Sequence, residues 1–362
     1  MNILFVVTGL GMGGAENLVI NLADFYVDKG YRVTIVYLTG DIFLRPNSKE
    51  VDIVSLEMFG YKDIFSGYMK LRRLIFELKP DVVHSHMIHA NLLSRLVNVF
   101  PLGPKLICTA HSTNEGGYIR MLAYRFTDRF CDMFTNVSNE AADVFIAKGA
   151  ARKGRIIAIP NGINANIFYP RHSPNRHDKI RLIAVGRLCK EKDYPNLLRA
   201  ISKLKIVYPQ IHLKIVGDGS LKSELNSLVD TLEIKTHVSF LGTRKDVAEL
   251  ISDSDIFVLS SEFEGFGLAV AEAMACEKVV VATDCGGVRE VVGDCGFLVE
   301  PKNSVWLAEK ITEAIELSSA SKKEMGINAR RRVLAHYSLD SAAEKYIALY
   351  SNLVKGDSPN FY

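Results

Sequence analysis

Nothing in this chain is in large excess, and each shortage excludes something. Six cysteines in 362 residues (Cys108, Cys131, Cys189, Cys276, Cys285, Cys295) include no C-x-x-C pair and no zinc spacing. That rules out a disulfide-stapled scaffold and leaves small apolar residues of a reducing compartment. Prolines are few, 11 against 26 glycines, and no low-complexity tract or fixed-period repeat occurs, so the chain is neither fibrous, disordered nor solenoidal. Neither sign of charge prevails: 44 basic and 41 acidic residues leave +3, far from the basic surface of a nucleic-acid binder. No run approaches the roughly 20 apolar residues of a spanning helix. The apolar opening at 2–7 stops at Gly9 with no basic residue before it, which does not fit a signal peptide. The expected address is cytoplasmic, which leaves attachment to the inner face of the cell membrane open.

What is present is rhythm. Short apolar runs at 3–8, 32–38, 82–86, 106–111, 133–137 and 156–160 alternate with helix-period segments such as 15–29, 64–78 and 89–99. The rhythm restarts with runs at 180–186, 213–217, 238–241, 256–260 and 279–283. Strands without polar alternation, separated by helices, are those of parallel sheets covered on both faces. The fold class is therefore α/β, with two doubly wound domains. The polar stretch 169–175, with two prolines and no apolar period, reads as the linker, giving domains 1–170 and 171–337. In such sheets ligands settle beyond the carboxyl ends of the strands, and two such domains facing each other enclose a cleft.

Two loops stand out there. Gly9, Gly11, Gly13 and Gly14 link the first strand to the first helix; Gly9, Gly11 and Gly14 satisfy the dinucleotide spacing G-x-G-x-x-G, which suits a phosphate at a helix N-terminus. The acidic residue expected to close the second strand of a dinucleotide fold is missing, Asp41 coming late. The second loop runs from Ser260 to a helix that starts near Gly267. Glu264 precedes that helix and Glu272 lies nearly two turns inside it, within the apolar run 268–275, where a carboxylate is costly without a partner. The pair can flank a ligand, one carboxylate near its reactive end and the other accepting from a diol.

Glu264 through Glu272, as EGFGLAVAE, resembles the E-x7-E signature of the family 4 glycosyltransferases. Gly13-Gly14-Ala15-Glu16, Asp81 to His86 (DVVHSH), Ile159-Pro160-Asn161-Gly162, Gly186-Arg187-Leu188 with Lys192, Gly217-Asp218-Gly219 and Phe240-Leu241-Gly242 are similar to further family segments in the family's order. The resemblance spans nearly the whole chain. It implies the GT-B fold, two Rossmann-like domains facing a central cleft, with a C-terminal helix, 338–362, packed back on the first.

It also implies a retaining enzyme that moves a hexose or N-acetylhexosamine from a nucleotide sugar, UDP before GDP, to a saccharide or lipid-linked acceptor. The product is α-linked, in polysaccharide, lipopolysaccharide or glycolipid assembly. By resemblance Arg187 and Lys192 hold the diphosphate with the amides of Phe266, Gly267 and Leu268, and Gly13 and Gly14 form a phosphate loop. Glu264 contacts the donor hexose, Glu272 the ribose, and His111 lies near the sugar. Cations and helix ends then stand in for magnesium, and no cofactor or metal is expected. His84, His86 and His89 lack a third-ligand pattern, and Asp253-Ser254-Asp255 reads as a turn before a buried strand. The alternatives are a UDP-sugar epimerase of the same fold, and an NAD(P)-dependent oxidoreductase using Gly9–Gly14. Two basic amphipathic segments, 70–79 and 118–130, are either ordinary half-buried helices or contacts to an anionic membrane.

Overall fold

The computed structural model describes residues 1–113, 115–171 and 179–356. They form two compact units: Met1–Gly162 with the chain from Leu339 onward, and Ile163–Ser338. The change of unit thus falls at 162/163 and not at 170/171. Phe168 and Tyr169 offer their carbonyls to Arg330 and to Ser252 Oγ, each at 3.2 Å, and Arg171 pairs with Glu249 at 2.7 Å. Polar anchoring of this kind leaves no apolar period to read. The remainder of the expected linker, 172–175, lies outside the described residues.

The first unit carries strands β1 (Asn2–Val7), β2 (Arg32–Tyr37), β3 (Asp52–Ser55), β4 (Val82–His86), β5 (Lys105–Ala110), β6 (Met133–Asn136) and β7 (Ile156–Ala158). They form one parallel sheet in the order β3-β2-β1-β4-β5-β6-β7. Helices α1 (Gly14–Asp28), α2 (Ile64–Leu78), α3 (Ile88–Val97), α4 (Tyr118–Thr127) and α5 (Asn139–Ala147) connect them. Side chains of a strand alternate between faces, and both faces are apolar here. Leu4 and Val6 pack with α2, α3, α4 and α5, while Ile3, Phe5 and Val7 pack with α1.

The second unit repeats the plan. Strands β8 (Ile180–Val185), β9 (Ile211–Val216), β10 (Val238–Phe240), β11 (Ile256–Leu259), β12 (Val279–Thr283) and β13 (Phe297–Val299) are ordered β10-β9-β8-β11-β12-β13, all parallel. Between and after them come α6 (Tyr194–Val207), α7 (Lys222–Thr231), α8 (Val247–Ser252), α9 (Leu268–Ala275), α10 (Val288–Val292), α11 (Ser304–Glu316) and α12 (Ser319–His336). The expected runs became strands with ends shifted by a residue or two. Strands β3 and β13 were not expected: both are short, partly exposed edge strands with too few apolar residues to show a period. Strand order reverses between β1 and β4 and again between β8 and β11, the crevices where doubly wound sheets accept ligands.

Helix α13 (Leu339–Lys355) packs on the α1 side of the first sheet through Ala343, Tyr346, Leu349, Tyr350 and Leu353. Tyr26 donates its hydroxyl to the Ala343 carbonyl at 3.1 Å. Tyr350 meets His84 Nδ1 at 2.5 Å, a polar anchor wholly inside the core. A buried imidazole that loses one partner carries its desolvation unrepaid. Tyr350→Phe is expected to lower stability by about 1–2 kcal/mol, read from urea unfolding; an unchanged midpoint would show the contact to be energetically idle.

Candidate active site

The second unit gathers most of the expected residues at the carboxyl ends of β8 and β11, which are neighbours in the sheet. Arg187 follows β8 in the loop Gly186–Leu188. The segment after β9 clamps that loop: Leu188 donates its backbone N–H to the Asp218 carbonyl at 3.0 Å, and Leu221 donates to the Leu188 carbonyl at 3.0 Å. The Arg187 side chain is exposed and makes no hydrogen bond or ion pair among the described residues. A guanidinium fixed at its base and free at its tip is suited to an anion with two oxygens.

Lys192 ends a short turn, Lys190–Lys192, sewn to the loop after β11. The Glu191 carbonyl accepts from Glu262 N–H at 2.8 Å, and the Lys192 carbonyl accepts from Ser260 Oγ at 2.9 Å. Lys192 Nζ reaches Glu264 Oε1 at 2.5 Å, and Ser261 Oγ donates to the same oxygen at 2.7 Å. The second carboxylate oxygen has no partner among the described residues. The two side chains expected to serve phosphate and sugar separately are thus joined to each other. Behind them, Gly286 (φ +55°) approaches so closely that a Cβ there would lie 1.9 Å from the Glu264 carbonyl oxygen. Only glycine fits beneath the glutamate.

Helix α9 begins next to this pair. Its N-cap is Gly267, in the left-handed region (φ 87°), and no side chain caps the first turn. Its amides point outward with the positive end of the helix. Glu272 lies one turn inside α9 rather than nearly two, because the helix proper starts at Leu268. Its half-buried carboxyl finds no hydrogen bond among the described residues, and burial pushes its pKa up to about 8, only partly opposed by the Lys192 charge.

In the first unit, His111 follows β5, the second strand past the order reversal. It receives no carboxylate on its ring: Glu115 accepts from its backbone N–H at 2.9 Å and from the Tyr124 hydroxyl at 2.5 Å. Its Nε2 meets His86 Nδ1 at 3.1 Å, and burial holds its pKa down to about 4. Gly13 and Gly14 open α1 as expected, but the Glu16 carboxylate folds back onto Gly13 and puts negative charge at that helix end. Strand β2 ends at Tyr37 without the acidic residue a dinucleotide site requires. Asp253 and Asp255 are held by Arg181 at 3.0 and 2.9 Å, and Asp253 also by Lys214 at 3.1 Å, so that triad is structural. Among the described residues no three His, Cys, Asp or Glu side chains are grouped to hold a metal ion.

Residues 12–167 match the family described as Glycosyltransferase Family 4, and residues 167–332 match Glycosyl transferases group 1. An uncharacterized glycosyltransferase of Haemophilus influenzae is 30% identical over 312 residues, 83% of this chain and 86% of that protein. The chain belongs to the family 4 glycosyltransferases. It is a transferase that moves a sugar, which sets aside the oxidoreductase and epimerase readings. The N-acetyl-alpha-D-glucosaminyl L-malate synthase of Bacillus anthracis is 32% identical over 212 residues, 56% of this chain and 55% of that protein. Anabaena Alr3699/HepE, solved with UDP-glucose, superposes with a TM-score of 0.83 at 23% identity over 97% of this chain and all of that one. The two Rossmann-like units of this glycosyltransferase are accordingly those of the GT-B fold.

Serine Ser261, which shares the Glu264 oxygen, and Gly286 escaped sequence reasoning; the first is one of many serines, the second one of 26 glycines. Glu272 supplies a pH test. Its folded pKa of about 8 lies above that of an unfolded carboxylate, so the folded state holds a proton that the unfolded chain has lost. Stability attributable to this group is full below the ordinary carboxylate range and declines as pH rises toward 8, by at most about 1.4 kcal/mol per pH unit. Glu272→Gln should flatten that slope in urea titrations run across pH; an identical slope in the variant would place the titration elsewhere.

Proposed function

We propose that the enzyme transfers a hexose or N-acetylhexosamine from a UDP-sugar to a saccharide or lipid-linked acceptor, with retention, giving an α-glycosidic bond in cell-surface polysaccharide, lipopolysaccharide or glycolipid assembly. One observation carries the reading: an unpaired arginine, a lysine–glutamate pair and an uncapped helix N-terminus meet at the ends of two adjacent strands. A diphosphate offers oxygens for all three. Arg187 grips it in bidentate fashion, the amides of Phe266, Gly267 and Leu268 line the other side, and Lys192 turns toward the leaving phosphate while its partner Glu264 engages the sugar hydroxyls. Glu272, within the same helix, accepts from the ribose. The names of the relatives add support, one transferring N-acetylglucosaminyl and another solved with UDP-glucose.

As the anomeric bond opens, positive charge grows on the sugar and negative charge on the departing diphosphate. Arg187, Lys192 and the α9 dipole stabilise the latter where charge develops, which is why we propose that no metal cofactor is needed. The leaving phosphate, on the face the acceptor enters, takes the proton of the acceptor hydroxyl. His111 is assigned to the sugar on the family resemblance alone. A screen of nucleotide sugars, with and without chelator, tests this. Arg187→Ala should weaken UDP-sugar binding by about 10- to 150-fold, the value of charge-assisted hydrogen bonds, and chelator should leave turnover intact. Equal affinity in the variant, or a β-linked product by NMR, would overturn the reading.

Helices α2 and α4 both pack on α3, on one side of the first sheet. Along them Phe65, Met69 and Phe76, then Tyr118, Ile119 and Phe126, stand exposed among Arg73, Arg120, Arg125 and Arg129. We propose that this side rests on anionic lipid at the inner face of the cell membrane, where a lipid-linked acceptor resides; among the described residues no helix is long and apolar enough to cross one. Ile119→Ser with Phe126→Ser should abolish flotation with phosphatidylglycerol vesicles at low salt while leaving transfer to a water-soluble acceptor unchanged. No flotation by the parent at low salt would sink this part of the proposal.

A further inference from the structure

His84, His86 and His111 form a polar chain through the core of the first unit that the donor site leaves unexplained. His84 is fully engaged: Nδ1 meets Tyr350 Oη at 2.5 Å and Nε2 meets Thr109 Oγ1 at 2.6 Å. Thr109 Oγ1 continues to Thr135 Oγ1 at 2.5 Å. The His84 and His86 ring centroids are 4.0 Å apart, and Phe5 lies against both rings. His86, wholly buried, has one partner, His111 Nε2 at 3.1 Å from its Nδ1. Both outer nitrogens of this couple, His86 Nε2 and His111 Nδ1, are buried without a partner among the described residues.

A hydrogen bond between two neutral imidazoles has two possible directions. If His111 Nε2–H donates, His86 must carry its proton on Nε2, leaving an orphaned N–H in the core. If His86 Nδ1–H donates, the core is left with a bare lone pair and the free N–H falls on His111 Nδ1, an atom that is also buried but belongs to a half-buried residue at the strand end, where an oxygen of a ligand can accept from it. Buried orphaned N–H groups are the rarer and costlier case. Burial keeps both rings neutral, so the choice is one of tautomer and not of charge.

We propose that His86 is a positioning residue: its Nδ1–H donates to His111 Nε2 and fixes His111 as the Nδ1–H tautomer, which presents a hydrogen-bond donor to an oxygen of the sugar substrate. Neutral histidine in water favours the opposite tautomer, so His111 is held where it would not rest by itself. Helix α13 holds the chain from behind, through Tyr350 on His84 and the stacking of His84 on His86. The proposal rests on the reading of His111 as a sugar-facing residue, and the test separates the two.

In the full-length, histidine-15N-labelled chain, long-range proton–nitrogen NMR reads each tautomer directly, with signals assigned from single variants. The expected result is Nδ1–H on both His86 and His111 in the parent; Nε2–H on His111 overturns the proposal without any variant having to fold. His86→Asn keeps an N–H donor near the Nδ1 position and should retain kcat within about threefold. His86→Phe keeps the ring volume without the donor and should lower kcat at least tenfold, the usual scale for losing such an orienting partner, with KM for the nucleotide sugar within twofold. Equal kcat for the Phe and Asn variants, or a change confined to KM, also overturns it. Full turnover in His111→Ala would instead remove the role of His111, a distinct outcome from a wrong tautomer.

Discussion

Parallel pairing of β8 with β11 is the constraint on which the rest of the site depends. Every strand of this sheet runs the same way, so each must hand the chain to a crossover at the same edge, and the crossovers on either side of this pair depart in opposite directions along the sheet. The gap left between them cannot be filled by either connection. Into it project the ends of two strands in fixed register, Ile256 opposite Leu182 and Phe257 opposite Ile183, so the loops that follow emerge side by side although they are some 70 residues apart in the chain. The Lys192–Glu264 ion pair and the contact of Glu191 with Glu262 are both consequences of that register.

A lysine and a glutamate held together at a half-buried site form a stored neutral pair. Each offsets the cost of placing the other's charge beside a low-dielectric wall. Glu272 behaves differently: with the nearest cation already engaged by Glu264, it is left with burial as the dominant influence and keeps its proton far above the usual range.

The first unit solves another problem. Its sheet buries an unusual column of polar groups, from Tyr350 through His84 and Thr109 to Thr135, each satisfied by the next. Helix α13 supplies the first member of that column from the far end of the chain. The return of helix α13 is thus more than a strap over apolar surface, since without it His84 Nδ1 would lose its hydrogen-bond partner Tyr350.

Much of this was legible in the residues. Apolar runs without polar alternation, spaced by helical periods, are sufficient for parallel α/β units, because the hydrophobic effect acts on local pattern. Short edge strands such as β3 and β13 were not legible, since half-buried strands carry too little pattern, and the unit boundary was misplaced because polar anchoring of Phe168 to Arg171 leaves no periodic trace. Spacing drew attention to Glu264 and Glu272, the second a carboxylate inside an apolar run, while Arg187, Lys192 and His111 came from the resemblance to the family. What a linear string does not hold is who pairs with whom. That Lys192 meets Glu264, that Gly286 must be glycine beneath it, and that His86 touches His111 are matters of register between distant strands, and only tertiary packing, which sets distances to within an ångström, decides them.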